Sequence, residues 1–443
     1  MNILLVGNGA REHAIAEAIM RSNRSPSLFV YMKANNPGIA ALADKVAIGE
    51  YGNLADIKNF AQDQNVKFAI IGPEDPLVNG VADALEEVDI PTVGPRQAQA
   101  KLESSKYLCR MLLLINGIPG NPWFRPFTNK GALAKYIREL FTNKIPFVLK
   151  PDGLTGGKGV MVQGDHFGSL DQAIPIAEKM FKEHKTVLVE EKLEGEEFSL
   201  QCLTDGKTVI PSPPVQDHKR RLAGDRGLNT GGMGSYSCAN GLLPFLTREE
   251  LNQALNIVRK TVWAVSKGNA PYRGVIYGGF MLTAKGVKLI EYNVRFGDPE
   301  AMNILPLLET DFVDVCLAII HGKLHEMDVK FKPWNTVVKY VVPKNYGLPP
   351  EKQTPSASNL LKIGDMDAGL YHSSIFNDET GLHMTSSRAL AVLGVGDFMA
   401  EAELIAEAGA NAIRGEVAHR EDIGTADLIA KRVRHMEELR IKK

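Results

Sequence analysis

The sequence is short of cysteine, net charge and long apolar runs, and each shortage excludes something. Only four cysteines occur, at Cys109, Cys202, Cys238 and Cys316. None forms a C-x-x-C pair, so neither a zinc ribbon nor a disulfide framework is expected, and a reducing compartment fits. Lysine plus arginine number 51 against 52 acidic residues, a formal net charge of -1. A global basic footprint for nucleic acid is therefore absent. Any polyanion site must be a local concentration of positive charge. Apolar runs such as Leu112 to Ile115 fall far short of the roughly 18 residues of a membrane span. Met1 leads into an apolar strand pattern with no charged leader. The expectation is a cytoplasmic protein with neither nucleic acid nor membrane as partner.

What is present is an ordinary globular composition, 44% hydrophobic and 23% charged over 443 residues. At roughly 100–200 residues per domain, that length allows two to four domains. Apolar runs at 2–6, 27–32 and 67–71 each end in a Gly- or Asn/Pro-rich turn and alternate with helical patterns. This predicts an α/β unit with a parallel sheet, ending near residue 102. A helix is expected over 105–116, then a Pro/Gly-rich linker to residue 126. A helix at 130–141, a strand at 146–150, a glycine-rich loop at 152–159 and a returning strand follow. Residues 198–283 read as largely β, interrupted by a long loop at 216–237 and a helix at 247–265; 288–293 reads as a strand. After residue 323 short strands lead to a helix at 397–410. No internal repeat is evident.

Two glycine-rich turns compete as phosphate sites. Gly7-Asn8-Gly9-Ala10-Arg11-Glu12 begins like G-x-G-x-x-G but has Glu12 at the third glycine. That glycine lets a helix pack closely on its sheet. The acidic residue expected about 20 positions on is also missing near Met32. Dinucleotide binding is therefore not expected. A phosphate at this helix N-terminus and a purely steric turn both stay open. The second turn is Lys150-Pro151-Asp152-Gly153-Leu154-Thr155-Gly156-Gly157-Lys158-Gly159-Val160. It is one residue short of a P-loop, lacks the magnesium-binding hydroxyl, and runs into a strand. It reads as a glycine loop in a β-hairpin that folds over phosphates; the bland alternative is a mobile surface hairpin.

Strand period is two, so Glu291, Asn293 and Arg295 share one face. A carboxylate and an amide oxygen are hard ligands suited to magnesium held jointly with nucleotide phosphates. Arg295 beside them can meet a carboxylate or phosphate with two parallel hydrogen bonds. A solvated sheet edge is the alternative. The segment from Gln216-Asp217-His218-Lys219 to Thr230-Gly231-Gly232-Met233-Gly234 is locally basic and dense in glycine, as when backbone approaches a ligand. His218 could serve as a base there or simply hydrogen-bond.

Together these motifs resemble the ATP-grasp ligases, and within them the phosphoribosylamine–glycine ligase family. The likeness extends through Gly72-Pro73-Glu74-Asp75-Pro76, Glu190-Glu191-Lys192-Leu193-Glu194-Gly195-Glu196-Glu197 and Arg295-Phe296-Gly297-Asp298-Pro299-Glu300. Pro151, Thr155 and Gly156 depart from the commoner loop, as in an archaeal branch. The resemblance implies α/β and α+β multidomain architecture. An N-terminal parallel-sheet domain (1–102) would bind the phosphosugar. An ATP-grasp domain (103–328) with a lid (123–190) and a mixed β/α C-terminal domain (329–443) would follow. It implies ATP contacts at Lys106, Lys150, Gly153, Gly156, Gly157, Lys158, Gly159, Glu190, Leu193 and Glu197. Magnesium (or manganese) would be held by Glu291 and Asn293. Glycine would lie near Asp217 and Arg295. The 5-phosphoribosylamine would lie near Gly9, Glu74, Pro76 and the loop of Thr230, Gly231, Gly232 and Met233, with Gly297 and Asp298 also in the substrate site. Arg295, Lys150 and Asp217 would carry the chemistry. The implied activity is ATP-dependent joining of glycine to phosphoribosylamine in purine biosynthesis, by a monomer or homodimer without fused downstream enzymes. The competing readings are another ATP-grasp ligase or carboxylase, and a nucleotide-binding protein without turnover.

Overall fold

The computed structural model describes residues 1–154, 159–267, 270–348 and 360–442. The N-terminal unit is a five-stranded parallel sheet. Asn2–Val6 lies at its centre, with Ser27–Met32 on one side and Phe68–Ile71 on the other. Ile3 through Val6 are fully buried, as the unbroken apolar run requires of a strand covered on both faces. Lys45–Ile48 adds an outer strand beyond Ser27–Met32. It is only four residues long and has no buried residue, and the sequence reading did not find it.

Helix Lys106–Ile115 begins where expected, because the Ser105 hydroxyl accepts the Leu108 N–H. The piece expected to be a linker instead contains a strand, Phe124–Phe127, at the edge of a four-stranded sheet with Val187–Glu191, Phe147–Pro151 and Met161–Val162. Pro126 is tolerated there because an edge strand needs ladder donors on one side only. Helices Lys130–Thr142 and Leu170–Glu183 cover this sheet. Phe127, Leu133, Ile137, Phe147, Val187 and Val189 belong to a core of their own. A unit with its own core can move as a body against the rest.

The floor of the cleft is an antiparallel sheet of Val209–Pro211, Glu196–Thr204, Gly274–Thr283 and Gly286–Asn293. The long loop expected at 216–237 is largely strand. Gln216–Asp217 and Gly234–Ser237 pair with each other, and Arg220–Leu222 forms a hairpin with Arg226–Asn229. Gly234–Ser237 pairs in turn with Asn335–Pro343. One sheet therefore runs across the expected 328/329 boundary. It is completed by Leu390–Gly396 and Gly369–His372 under helix Met399–Ala412. No helix among the described residues is long and apolar enough to cross a membrane.

Candidate functional site

The cleft floor carries an irregularity that aims the site. Along Gly286–Asn293, Val287 and Leu289 point into the core. Strict alternation would send Glu291 there too. Instead Gly279 faces Glu291 while its neighbour Phe280 faces Leu289, so Ile290 is an extra residue. This β-bulge reverses the alternation. Tyr292 takes the core side, and Glu291 and Asn293 turn to the cleft.

Glu291 lines a cavity with Glu197, Asp217, Lys219, Tyr277 and Phe280. Its carboxylate has no hydrogen-bond or ion-pair partner among the described residues. Burial alone would raise its pKa, but Lys219, Lys150 and Lys106 outweigh that and hold it below the ordinary range. An ionised, unpartnered carboxylate beside an amide oxygen is a hard-oxygen pair, and it fits a magnesium ion shared with phosphates. No cluster of three or more His, Cys, Asp or Glu poised for a metal exists among the described residues. Phosphate oxygens and water would therefore have to complete the shell.

The base of the glycine hairpin is firmly tied. Asp152 accepts from the Ser105 hydroxyl at 3.0 Å and from the Tyr107 N–H at 3.1 Å. Lys106 Nζ donates to the Gly153 carbonyl at 2.7 Å. Burial pushes the Lys106 ammonium down from its ordinary pKa, opposed by Glu291. Gly159 stands at the far side of the loop; Gly156, Gly157 and Lys158 lie outside the described residues.

Lys150 is buried, its Nζ 2.8 Å from Glu190 Oε2. Arg110 grips the same carboxylate with Nε at 3.0 Å and Nη2 at 2.8 Å. Burial would raise the Glu190 pKa; Arg110 and Lys150 overcome it and bring it to about 2. Glu190 was expected at an adenine. Its carboxylate is instead held by two cations, so an adenine would be met by backbone groups after it. Leu193 lies in the turn after that strand. The adjacent glutamates part company. Glu197 faces the cavity and pairs with Lys219 at 3.1 Å. Glu196 is buried against His435 and Arg432 of the C-terminal helix Ala426–Ile441.

The other end of the cleft is built on Arg295. Its Nη2 donates to Glu103 at 2.9 Å and lies 3.3 Å from Asn293 Oδ1, and its Nε lies 3.2 Å from Glu74. Arg295 holds the Glu74 carboxyl down to about 2 against the opposing effect of burial. Pro76 is buried in the short helix Glu74–Val78 that presents Glu74.

Gly9 sits in a turn that is already filled. Glu12 Oε2 accepts the Gly9 N–H at 2.6 Å, closing a capping box on helix Ala10–Met20. A Cβ on Gly7 or Gly72 would come within 2.4 Å of Glu12 Cγ. The residue that broke the dinucleotide pattern thus puts its own carboxylate where a pyrophosphate would sit.

Asp217 and His218 lie among charged groups. Asp217 Oδ1 is buried without a partner. Burial first, and then Glu300, push the Asp217 carboxyl well above its ordinary pKa. His218 is buried and driven down to about 3, first by burial and then by Arg432 and Arg420. It stays neutral and is a weak base. The Thr230 hydroxyl donates to the Lys219 carbonyl and accepts the Gly232 N–H. Arg388 donates to the Gly231 and Gly232 carbonyls and pairs with Asp298. The Gly297 N–H is taken by Gln201. Met233, expected at the substrate, turns its side chain into the core. Its side chain is 1% exposed, its N–H bonds the His218 carbonyl and its carbonyl accepts from Tyr340.

Sequence reading missed Arg110, Lys219, Glu103 and Arg388. Arg110 was findable in principle, since it lies one helical turn after Lys106. Arg388 was not, being 90 residues from Asp298.

Comparison with known proteins places the whole chain. Residues 1–103 match the family model for the phosphoribosylglycinamide synthetase N domain, and residues 104–301 match that for its ATP-grasp (A) domain. The phosphoribosylamine–glycine ligase of Methanocaldococcus jannaschii is 46% identical over 99% of this chain and 100% of its own length. That of Methanococcoides burtonii is 45% identical with the same coverage. The crystal structure of phosphoribosylamine–glycine ligase from Thermotoga maritima superposes with a TM-score of 0.79 at 25% identity, covering 95% of this chain and 100% of that one. The biotin carboxylase domain of Hydrogenobacter thermophilus 2-oxoglutarate carboxylase, solved with MgADP, shares the fold at a TM-score of 0.74 and 15% identity, over 99% and 97% of the two chains. With full-length relatives at this identity and both domain models matched in order, the chain belongs to the phosphoribosylamine–glycine ligase family.

Proposed function

We propose that the chain joins glycine to 5-phosphoribosylamine at the expense of ATP, giving glycinamide ribonucleotide, ADP and phosphate. Full-length similarity to phosphoribosylamine–glycine ligases carries this reading, and a cleft with lysines at one end and Arg295 at the other supports it.

A carboxylate is a poor electrophile. In the first step a glycine carboxylate oxygen attacks the γ-phosphorus, and the bond to the β-γ bridging oxygen breaks, releasing ADP. In the second, the sugar amine attacks the acyl carbon of glycyl phosphate, phosphate leaves, and the nitrogen loses a proton. Phosphoryl transfer needs positioning and charge neutralisation more than a covalent nucleophile. Lys150, with Lys106 at the loop base, would neutralise the nucleotide phosphates. Glu291 and Asn293 would hold magnesium or manganese, which when bound supplies Lewis-acid stabilisation of the charge in transfer. The backbone at 191–193 would meet the adenine, and Glu197 the ribose. Arg295 would take the glycine carboxylate, exchanging part of its contact with Glu74 and Glu103. The unpartnered Asp217 oxygen would accept from the glycine ammonium. Glu74, Gly9 and the Thr230–Gly232 turn, braced by Arg388, would border the phosphosugar. The glycine hairpin and its separately cored lid would close and exclude water, which otherwise hydrolyses the acyl phosphate.

The test is ADP release by the purified protein. We expect release that requires glycine and freshly made phosphoribosylamine together. Release driven by bicarbonate or formate would favour another ATP-grasp reaction.

A further inference from the structure

We infer that Arg110 is the positioning residue that couples the phosphate-binding lysine to the metal-binding strand. Three elements meet at its guanidinium. It sits on helix Lys106–Ile115 and is 2% exposed. Two of its N–H groups hold Glu190, on a strand of the lid sheet, and Glu190 holds Lys150 on the neighbouring strand. Two more go to the other side: Nη1 to the Leu289 carbonyl at 3.0 Å and Nη2 to the Ile290 carbonyl at 2.7 Å.

One of those carbonyls belongs to Ile290, the extra residue of the bulge, and the other to Leu289 just before it. A bulge leaves its extra residue outside the ladder, and a buried carbonyl without a donor is costly. Arg110 supplies the donors. It thereby stabilises the irregularity that turns Glu291 and Asn293 toward the cleft. A lysine cannot replace it, because a single ammonium cannot span a carboxylate and two carbonyls in one plane.

Charge arithmetic gives the second half of the role. Glu190 and Lys150 alone would form a neutral buried pair. Arg110 adds one positive charge, so the triad keeps one net positive charge for a phosphate. The inference rests on the nucleotide site proposed above and is independent of the acceptor substrate.

The experiment compares Arg110→Lys and the uncharged pair Arg110→Gln/Glu190→Gln with wild type. The double variant keeps the structure testable if the single one unfolds, since removing both partners of a buried pair is far milder than removing one. ADP affinity is measured by calorimetry with Mg2+ and with EDTA, and Mn2+ binding to the ADP complex by electron paramagnetic resonance. For Arg110→Lys we expect the MgADP Kd to rise about 30-fold, kcat to fall about 100-fold, and the KM for glycine to stay within about twofold. The double variant frees Lys150 but loses the fork. It should keep metal-free ADP affinity within about threefold, lose most of the strengthening by Mg2+, and give an altered Mn2+ signal. A folded double variant with wild-type enhancement by Mg2+ and a wild-type Mn2+ spectrum would overturn the inference. So would a lowered Tm with unchanged binding and kcat in Arg110→Lys, which would mark Arg110 as merely structural. If wild type binds MgADP with this dependence on Arg110 yet makes no glycinamide ribonucleotide, the proposed function fails and the coupling stands.

Discussion

The two glycine-rich turns look alike in sequence and differ in what fills them. At the first, Glu12 occupies the helix N-terminus and takes the Gly9 N–H. Its glycines exist to make room for that carboxylate: Gly7 has φ of +135° and no space for a Cβ. At the second, Asp152 and Lys106 anchor the loop base, and Lys150 holds buried positive charge beside it. The first turn has spent the Gly9 N–H on its own glutamate and would border the phosphosugar without that donor. The second retains its positive charge for a ligand. Glycine density signals close backbone approach in both cases, and only the neighbouring charges say to what.

Substitutions at the two ends should separate accordingly. Glu291→Gln should lower kcat by about 1,000-fold or more, since it removes an anionic metal ligand where charge develops. Circular dichroism should match wild type; near-normal kcat in a folded variant would remove Glu291 from the metal site. Lys150→Ala should weaken ADP binding by about 30-fold, the scale of a lost charge-assisted contact, as read by calorimetry. Gly7→Ala should do the reverse. It should cost about 2 kcal/mol of stability from positive-φ strain and overpacking against Glu12, while folded protein keeps its ADP affinity. A Gly7→Ala protein that is stable but nucleotide-blind would erase the contrast.

The smallest effect concerns pH. Glu74 has its pKa lowered from 4.5 to about 2, chiefly by Arg295. A lowered carboxylate pKa stabilises the fold above the unfolded value and loses that stabilisation as pH falls toward the folded one. Glu74→Gln should therefore flatten the acid limb of stability between about pH 4.5 and 2, measured by urea unfolding. An unchanged slope would show that Arg295 does not hold the Glu74 carboxyl down in the folded protein.

Much of the frame was legible because it rests on local patterns. The buried run Asn2–Val6, the Ser105 cap and the hairpin around the glycine loop follow from periodicity and turn chemistry. Other features depend on distant partners. Gly234–Ser237 is paired along its full length by Asn335–Pro343, about 100 residues on. The facing of Glu291 and Asn293 was read correctly from period two, yet Leu289 obeys the same count and points the other way. The bulge at Ile290 reconciles them, and nothing in the local sequence announces it. Glu190 was recognised as part of a motif, but its role changes once Arg110 is seen beside it. The burial of Met233 was hidden for a related reason: a glycine-rich neighbourhood says nothing about which way an apolar side chain turns.

In the proposed reaction the γ-phosphoryl group passes to the glycine carboxylate before the amine attacks. The most direct measurement uses glycine labelled with 18O in its carboxylate, together with ATP and phosphoribosylamine, and mass analysis of the phosphate released. A glycyl phosphate route predicts one 18O in each inorganic phosphate formed, because the acyl oxygen leaves with phosphorus. Unlabelled phosphate accompanying labelled product would contradict it.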